Sequence, residues 1–176
     1  MCLIISNTQD TFKTFQAQPN IRNLTIKVWK VFGFRPTYIQ FKTCDRVSGG
    51  FLTGPYRTGY RYNVGLHTAK PDTNFSREVH AGLHVCLNEA EALKISNSVE
   101  SSSCIPVIIP FEVTLDKVHS VGRFSDYRTD DSANSQAVVT ELNLTQEKYD
   151  IAIAEAMAYM KKKYPHLFPG KRIARS

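Results

Sequence analysis

The chain has 176 residues, of which 42% are hydrophobic and 22% are charged, and its formal net charge is +6. This length and composition predict one globular domain with a packed core rather than a disordered chain. The apolar run 107–111 is interrupted by Pro110, and no stretch approaches the roughly 20 consecutive apolar residues that a membrane span needs. No basic region precedes the short apolar N-terminus, so we expect no secretory signal and a cytoplasmic protein.

The charges are distributed unevenly along the chain. Residues 1–60 carry 8 basic and 2 acidic residues, residues 61–160 carry 8 and 14, and residues 161–176 carry 6 and none. A cationic end of this kind attracts phosphate backbones without sequence preference. Bases could stack on three aromatic residues of the same segment, Tyr164, His166 and Phe168. Nucleic-acid contact through the tail is therefore one prediction, and a solvated, frayed end is the alternative.

The cysteines favour reduced thiols, because they are widely and irregularly spaced and form no CxxC pair. They are Cys2, Cys44, Cys86 and Cys104. Cys2 would become an N-terminal nucleophile if Met1 were removed. The alternative for Cys2 is a small apolar residue at the start of an edge strand.

Three segments are expected along the chain. Residues 1–25 begin with a short apolar stretch, become polar and close at the turn signal Pro19-Asn20, which predicts a loosely ordered lead-in. Residues 26–164 are expected to form the single domain, and residues 165–176 form the basic tail.

The first half of the domain has the pattern of β-strands. Residues 26–32 alternate Ile26, Val28, Lys30 and Phe32 against Lys27, Trp29 and Val31, which predicts a central strand. Residues 36–42 alternate in the same way and predict a second strand. Residues 50–67 are rich in glycine and aromatic residues, which is typical of short strands joined by tight turns.

The second half alternates strands with two capped helices. The short strand Leu83–Leu87 leads into a helix with Asn88 as N-cap and Glu91 in the capping-box position. A strand at 107–115 contains Pro110, which places it at an edge or a bulge, and residues 119–124 are expected to extend it. Residues 136–144 predict a last strand.

Thr145 is expected to cap the C-terminal helix, which ends at Pro165. Its apolar stripe comprises Ile153, Met157, Met160 and Tyr164 and predicts core contact. The fold class is therefore α+β: a single domain with a twisted, mostly antiparallel sheet, a capped helix in mid-chain and a C-terminal helix.

The densest group of chemically able side chains is His80, His84 and Cys86. On a strand His84 and Cys86 point the same way, so they could bind a metal with His80, and Cys104 is a possible fourth ligand. The spacing matches none of the recognised zinc patterns. The alternative is a partly buried histidine that is hydrogen-bonded to backbone. Phosphate-binding glycine loops and the GxSxG and HExxH motifs do not occur, so nucleotide hydrolysis and serine hydrolysis are disfavoured. No resident cofactor is expected.

The strand Gly82-Leu83-His84-Val85, followed by the helix that begins Asn88-Glu89-Ala90, is similar to a motif of the ADP-ribosyltransferase fold. The early strand Val28–Val31 and the late strand Ser135–Val139 resemble that family's first and third motifs. The resemblance implies that Lys30 stands at the family's histidine, His84 at its tyrosine and Gln136 at its catalytic glutamate. A neutral Gln136 cannot supply the charge of a glutamate, so a retained ligand cleft is expected rather than transferase activity.

The opening Met-Cys-Leu, the stretch Tyr60-Arg61-Tyr62-Asn63-Val64-Gly65 and the Gly-Leu-His strand also resemble uncharacterised small proteins of phages and large viruses. This resemblance implies a host-directed binding protein, including the kind that sequesters nucleotide signals in antiviral defence.

The leading hypothesis is a non-catalytic protein that holds a nucleotide-like anion between the 56–65 hairpin and the His84 strand. Tyr60 or Tyr62 would stack the base, and the phosphates would be met by three cations, Lys30, Arg57 and Arg61. An anion beside His84 would also meet the N-terminus of the following helix. NAD, ADP-ribose and cyclic nucleotides are the expected ligands.

Two alternatives remain open at this point. One is an ADP-ribosyltransferase or other NAD-consuming enzyme that uses Lys30, His84 and Gln136. The other is an inhibitor or adaptor that binds a host protein or nucleic acid through its basic ends.

Overall fold

The protein is described from a computed structural model. The described residues are 3–5, 8–41, 44–55, 60–71, 78–79, 81–101, 103–124 and 135–168, without the side chains of 40, 41, 44, 45 and 124. Arg57 and His80 lie outside this set, as does the acidic segment 125–134.

Three helices and eleven strands form the described fold. The helices are α1 (Gln9–Gln16), α2 (Glu89–Val99) and α3 (Gln146–Lys163). The strands are β1 (Leu3–Ile5), β2 (Thr25–Phe41), β3 (Cys44–Thr53), β4 (Arg61–Tyr62), β5 (Gly65–Thr68), β6 (Glu78–Val79), β7 (Leu83–Cys86), β8 (Ile105–Thr114), β9 (Val118–Phe124), β10 (Gln136–Val139) and β11 (Glu141–Leu144). Two 3-10 turns occupy Leu115–Lys117 and Pro165–Leu167.

One nine-stranded sheet organises the molecule. Its hydrogen-bonded order is β4-β3-β2-β7-β10-β9-β1-β6, and β8 pairs with the other edge of β2. Strands β5 and β11 form a separate two-stranded sheet. Each ladder between described strands is antiparallel. The expected α+β class and the mostly antiparallel sheet are therefore confirmed.

Both faces of the large sheet are covered. On one face, which we call the α3 face, Val28, Phe32 and Phe34 pack in a cluster with Ala152, Ala156 and Met160 of α3. On the other, the α2 face, Val31 and Cys86 pack with Ala92 and Ile95 of α2. The alternation of side chains along β2 thus sends apolar residues into two cores.

Strand β2 is longer than the sequence pattern predicts. The two expected strands, 26–32 and 36–42, are parts of one seventeen-residue strand that continues through Gly33 and Pro36. It pairs with β8 from Thr25 to Phe34 and with β3 from Gly33 to Phe41. The first part of the strand is therefore paired with β8 and the second part with β3. Pairing on both sides of Gly33 holds the extended backbone through residues that would otherwise interrupt a strand.

The prediction that residues 1–25 are loosely ordered is wrong for the described residues, which include β1 and α1. Leu3 is fully buried in β1, which pairs with β6 and β9. Beyond the end of β1, the Gln9 side chain continues the pairing of β9: its Nε2 donates to the His119 carbonyl and its Oε1 accepts from the Val121 amide. A side-chain amide can satisfy a strand edge because it carries the same donor and acceptor as a peptide group.

The caps of the two long helices are confirmed. Asn88 Oδ1 accepts from the Glu91 amide at 2.8 Å, and Thr145 Oγ1 accepts from the Lys148 amide at 3.3 Å. The stripe predicted on α3 faces the core, although its most buried line runs through Ala152, Ala156 and Met160.

Two strand boundaries near the C-terminal half need correction. The expected strand 136–144 divides into β10 and β11, which belong to different sheets. Between them Thr140 donates to the Lys117 carbonyl from both its amide and its hydroxyl. Residues 118–124 form the separate strand β9 rather than an extension of β8, because the 3-10 turn at Leu115–Lys117 intervenes.

Pro110 lies on the edge strand β8, as predicted. Within the described residues β8 pairs only with β2, and the Pro110 carbonyl accepts from Lys148 Nζ on α3 at 2.7 Å. The missing amide of proline therefore falls on the edge that has no strand partner, where it costs no ladder hydrogen bond. No described helix is long and apolar enough to cross a membrane.

The two glycines with positive φ give a matched stability test. Gly82 (φ 126°) and Gly65 (φ 127°) have the same backbone conformation, but a Cβ at Gly82 would lie 2.4 Å from Val138 Cγ1, whereas one at Gly65 meets nothing within 4 Å. We expect Gly65→Ala to cost about 1–3 kcal/mol of backbone strain. Gly82→Ala should cost about 1–3 kcal/mol more, because of overpacking. Urea unfolding of both variants measures the difference, and equal losses would show that Val138 moves aside freely.

Candidate functional site

Three rings form an aromatic cluster on the α3 face. The Tyr60 and Tyr62 rings lie 4.8 Å apart edge to face, and the His67 ring lies 5.0 Å from Tyr62. Tyr62 is buried against Phe32, with ring centroids 4.9 Å apart. Tyr60 remains 51% exposed. The cluster therefore offers solvent one tyrosine ring that is supported from behind by buried rings.

Hydrogen bonds fix the orientation of the exposed tyrosine. His67 Nε2 lies 2.7 Å from the Asn63 carbonyl, which can only accept, so Nε2 carries the hydrogen. In the neutral imidazole Nδ1 is then the acceptor, and the Tyr60 hydroxyl donates to it at 3.1 Å. The ring of Tyr60 is thus held in one position. Stacking of a ligand on this ring would therefore cost little additional side-chain entropy of Tyr60.

A buried lysine lies behind these rings. Lys30 is 4% exposed. Its Nζ lies 5.2 Å from the centre of the Tyr62 ring and 5.5 Å from that of Phe32. The same Nζ donates to the His84 carbonyl at 3.1 Å. The two rings and the carbonyl dipole stabilise the ammonium, but they do not neutralise it.

The strand pairing explains why Lys30 can reach this carbonyl. On the edge of β2 opposite β8, β7 pairs only through Trp29 and Cys86, and β3 begins to pair at Gly33. Between these points β7 and β3 diverge, and the Lys30 ammonium bonds to the carbonyl of β7 where the ladder stops. No carboxylate of the described residues forms an ion pair with Lys30. A buried charge without a counter-charge raises the electrostatic potential of the nearby surface.

The structure brings together only part of the predicted ligand site. Lys30, Tyr60 and Tyr62 form one group, whereas Arg61 faces the other side of β4, with its guanidinium stacked 3.9 Å from the Phe51 ring. Side chains alternate along a strand, so Arg61 and Tyr62 cannot both face the cluster. The assignment of Arg61 to the same site is therefore wrong, and Arg57 lies outside the described residues.

His84 contributes its backbone rather than its imidazole to this group. Its neighbours Leu83 and Val85 belong to the α3-face cluster, so the imidazole points to the α2 face with Cys86. There Nε2 lies 3.3 Å from the Val79 carbonyl. Burial, and then the Lys30 charge, lower the pKa of His84 from 6.5 to about 4. The imidazole is consequently neutral at pH 7 and offers no positive charge to an anion.

The N-terminus of α2 holds a buried polar group of its own. Glu91 is 3% exposed and accepts from Gln136 Nε2 at 2.6 Å, and Lys94 lies 3.8 Å from the same carboxylate. Glu89 and Glu91 place negative charge in the first turn, where it complements the helix dipole. An anionic ligand at this helix end would meet two carboxylates, so the anion site expected beside His84 is not supported here.

The three positions implied by the ADP-ribosyltransferase resemblance lie on neighbouring strands. Lys30, His84 and Gln136 belong to β2, β7 and β10, which are adjacent in the sheet. Gln136 is fully buried beneath α2, opposite Cys86, whereas the Lys30 side chain lies on the α3 face. The three side chains do not converge on one space, so this geometry gives no common site at which they could act on NAD.

The described members of the predicted metal site also separate. Cys104 Sγ lies 3.9 Å from the Pro55 carbonyl, beside Gly33, and is remote from Cys86 on β7. Burial, assisted by the Glu91 charge, raises the pKa of Cys86 to about 12, which disfavours the thiolate that binds metals. Within the described part of the chain no three metal-binding side chains come together. Cys104 is thus not a fourth ligand, and His80 lies outside the described residues.

One member of the aromatic cluster was not predicted. His67 follows Tyr60 by seven residues and belongs to β5, which pairs with β11 in the smaller sheet. Its role depends on how the smaller sheet lies over the large one, which no local pattern encodes. The only signal in the sequence is the concentration of aromatic residues and histidine between 60 and 67.

Comparison with protein-family models gave no match to the chain. Curated proteins and solved structures gave none either. The resemblances to ADP-ribosyltransferases and to viral proteins therefore stay predictions, and the functional conclusion depends on the geometry of the chain's own residues.

The low pKa of His84 predicts a dependence of stability on pH. Between the ordinary pKa of 6.5 and the folded value of about 4, the unfolded chain binds a proton that the folded chain does not. Stability is therefore retained above pH 6.5 and is lost as the pH falls toward 4, by at most about 3 kcal/mol from this residue.

Urea unfolding of the parent and of His84→Gln between pH 7 and pH 4 isolates this contribution, because the other titrating groups, His119 among them, are common to both proteins. We expect the difference in unfolding free energy between the parent and His84→Gln to become smaller as the pH falls. A constant difference would mean that His84 is as accessible to protons in the folded chain as in the unfolded one.

Proposed function

We propose that the protein is a non-catalytic binding protein for a nucleotide-like anion, with Tyr60 as the stacking ring. The observation that carries this proposal is the buried Lys30 ammonium, which has no described carboxylate partner and lies behind the exposed tyrosine. A ligand that stacks a base on Tyr60 and brings an anionic group over the cluster would supply a counter-charge for this ammonium. NAD, ADP-ribose and cyclic nucleotides all combine these two features.

Several features favour binding over catalysis. Lys30 is committed to a carbonyl and two rings, His84 is neutral and hydrogen-bonded to backbone, and Gln136 is bonded to Glu91 under a helix. Each of the three groups is already bonded to another group of the protein, whereas a general base or nucleophile must reach the reacting atom of a substrate. A rigid aromatic ring with charge behind it is suited to holding a ligand in place. The NAD-consuming alternative remains open to a direct assay of NAD turnover.

The primary test is ligand binding by thermal shift and calorimetry with NAD, ADP-ribose and cyclic nucleotides. A ligand present at 100 times its dissociation constant should add about 2.7 kcal/mol of stability. Tyr60→Ala should weaken binding by about fivefold to 100-fold, because one base stack is lost. Phe15→Ala is the matched control, since Phe15 is 46% exposed on α1 and remote from the cluster. Absence of a shift with every ligand would overturn the proposal.

A second variant tests the buried charge. Lys30→Met keeps the length of the side chain and its contacts with the rings but removes the charge, and we expect about tenfold weaker binding of an anionic ligand. Lys30→Arg should restore most of the affinity if the charge is what matters. The melting temperature of each variant is measured alongside. Equal affinity in a folded Lys30→Met protein would show that Lys30 has only a structural role.

A further inference from the structure

Helix α3 has a line of exposed residues on the side opposite its buried line. Ala152, Ala156 and Met160 contact the core, and the residues on the opposite side of the helix point out of the molecule. We call this exposed line the outer surface of α3. Its members recur every three or four residues and end in two lysines: Glu147, Ile151, Ala154, Ala158, Lys161 and Lys162. Each of them is exposed, so the described part of the chain leaves this surface open.

The middle of the outer surface is uncharged and has the shape of a helix-packing site. Ile151 is 51% exposed, and Ala154 and Ala158 follow it on the same side of the helix. Exposed helix positions ordinarily carry polar or charged side chains. Small side chains let a second helix approach closely, and an aliphatic side chain beside them can pack between the small residues of that helix.

The two ends of the outer surface carry opposite charges. Glu147 and Asp150 lie near the start of α3, and Lys161 and Lys162 lie in its last turn. No one of these four charges has an opposite charge three or four residues away on the helix. Within the described residues they form no ion pair, and Asp150 accepts only from the neutral side chain of Gln146, at 2.8 Å.

The helix dipole explains only part of this distribution. It favours acidic residues in the first turn and basic residues in the last turn, which accounts for Glu147 and for the lysines. Its effect falls off beyond the first turn, so it does not account for Asp150 or Glu155. It also does not account for an exposed isoleucine and two exposed alanines between the charged ends.

We propose that the outer surface of α3 binds the same surface of a second copy of this chain, with the two helices antiparallel. A two-fold axis near Ala154 brings the acidic end of each helix beside the basic end of the other. Glu147 and Asp150 of one copy then pair with Lys161 and Lys162 of the second copy, and symmetry repeats these pairs. In a parallel pair like charges would meet, so the charges select the antiparallel arrangement.

The spacing along α3 fits this arrangement. Positions 147 and 162 are equally distant from the midpoint between Ala154 and Glu155, and so are positions 151 and 158. An antiparallel pair centred there therefore places Ile151 of each copy against Ala158 of the other. The large aliphatic side chain meets a small one at both contacts, which allows the helices to pack closely.

The mixed charge of this surface favours a second copy over an anionic partner. A phosphate backbone or an anionic membrane would be attracted by Lys161 and Lys162 but repelled by Glu147 and Asp150 on the same surface. A second copy satisfies both signs. One pair of helices is a smaller contact than the interfaces of about 1,200–2,000 Å² that stabilise tight complexes. The dimer is therefore expected at micromolar or higher concentrations, and salt should weaken it.

The proposal goes beyond the nucleotide site and does not depend on it. Lys30, Tyr60 and Tyr62 belong to other elements than α3, so ligand binding and self-association can fail separately.

The test is analytical ultracentrifugation over a wide range of protein concentrations, at low and at high salt. The parent should show a monomer–dimer equilibrium. Glu147→Lys with Asp150→Lys should weaken it by about tenfold or more, and so should Lys161→Glu with Lys162→Glu, because attraction becomes repulsion at both ends. A mixture of the two charge-reversed variants should associate as strongly as the parent. A chain with all four substitutions should also recover self-association, because exchange of the two signs keeps the surface complementary.

A second pair of substitutions tests the close packing without a change of charge. Ala154→Gln with Ala158→Gln should weaken the dimer by about tenfold, because longer side chains keep the two helices apart. Glutamine is a good helix former and both positions are exposed, so this variant should fold as the parent does. The melting temperature of each variant is measured at a concentration where the protein is monomeric.

Matched controls on α2 separate this surface from general effects of charge and size. Glu89→Lys reverses an acidic residue in the first turn of α2, and Ala90→Gln enlarges an exposed alanine of the same helix. Both controls should associate as the parent does. Three results would each overturn the proposal: a parent that is monomeric at every concentration, folded charge-reversed variants that dimerise normally, or a mixture of these variants that fails to associate.

Discussion

Strand β2 determines the arrangement of the described sheet, because it pairs along its full length and its middle part, from Val28 to Phe34, contributes buried side chains to both cores. One edge carries β8, and the other edge is divided between β7 and β3. This division separates the sheet into two branches, one leading through β10 and β9 to β1 and β6, the other leading through β3 to β4. The proposed nucleotide site lies where the branches diverge, and beyond Phe34 β3 is the one described strand that pairs with β2.

The point where β7 and β3 diverge also explains how the protein stabilises the buried Lys30 ammonium. A lysine in the interior loses hydration, and that loss is offset here by the His84 carbonyl and by two aromatic faces. Lys30 reaches this carbonyl because the ladder between β2 and β7 has ended there. The Lys30 ammonium therefore lies in the core at the point where β2 and β7 stop pairing, directly behind Tyr62 and the exposed Tyr60.

Local features of the fold were predictable because they depend on nearby residues. The caps Asn88 and Thr145, the edge position of Pro110 and the alternation along residues 26–32 all follow from contacts within a few positions. The lead-in was mispredicted for a different reason. Residues 3–5 are too few to show the two-residue period of a strand, and the polar Gln9 gives no sign of a strand. The sequence therefore does not reveal that β9 lies beside these residues and forms hydrogen bonds with them.

The sequence alone determined the composition of the site: tyrosines and a lysine near a Gly-Leu-His strand, a capped helix after it and a cationic C-terminal end. Only the tertiary structure decided which of these side chains share a face. Lys30 and Tyr62 meet, whereas His84, Arg61 and Gln136 point away from them. The physical reason is that the side of a strand on which a residue lies follows from its neighbours in sequence, while the residue it meets there depends on pairing partners that are distant in sequence.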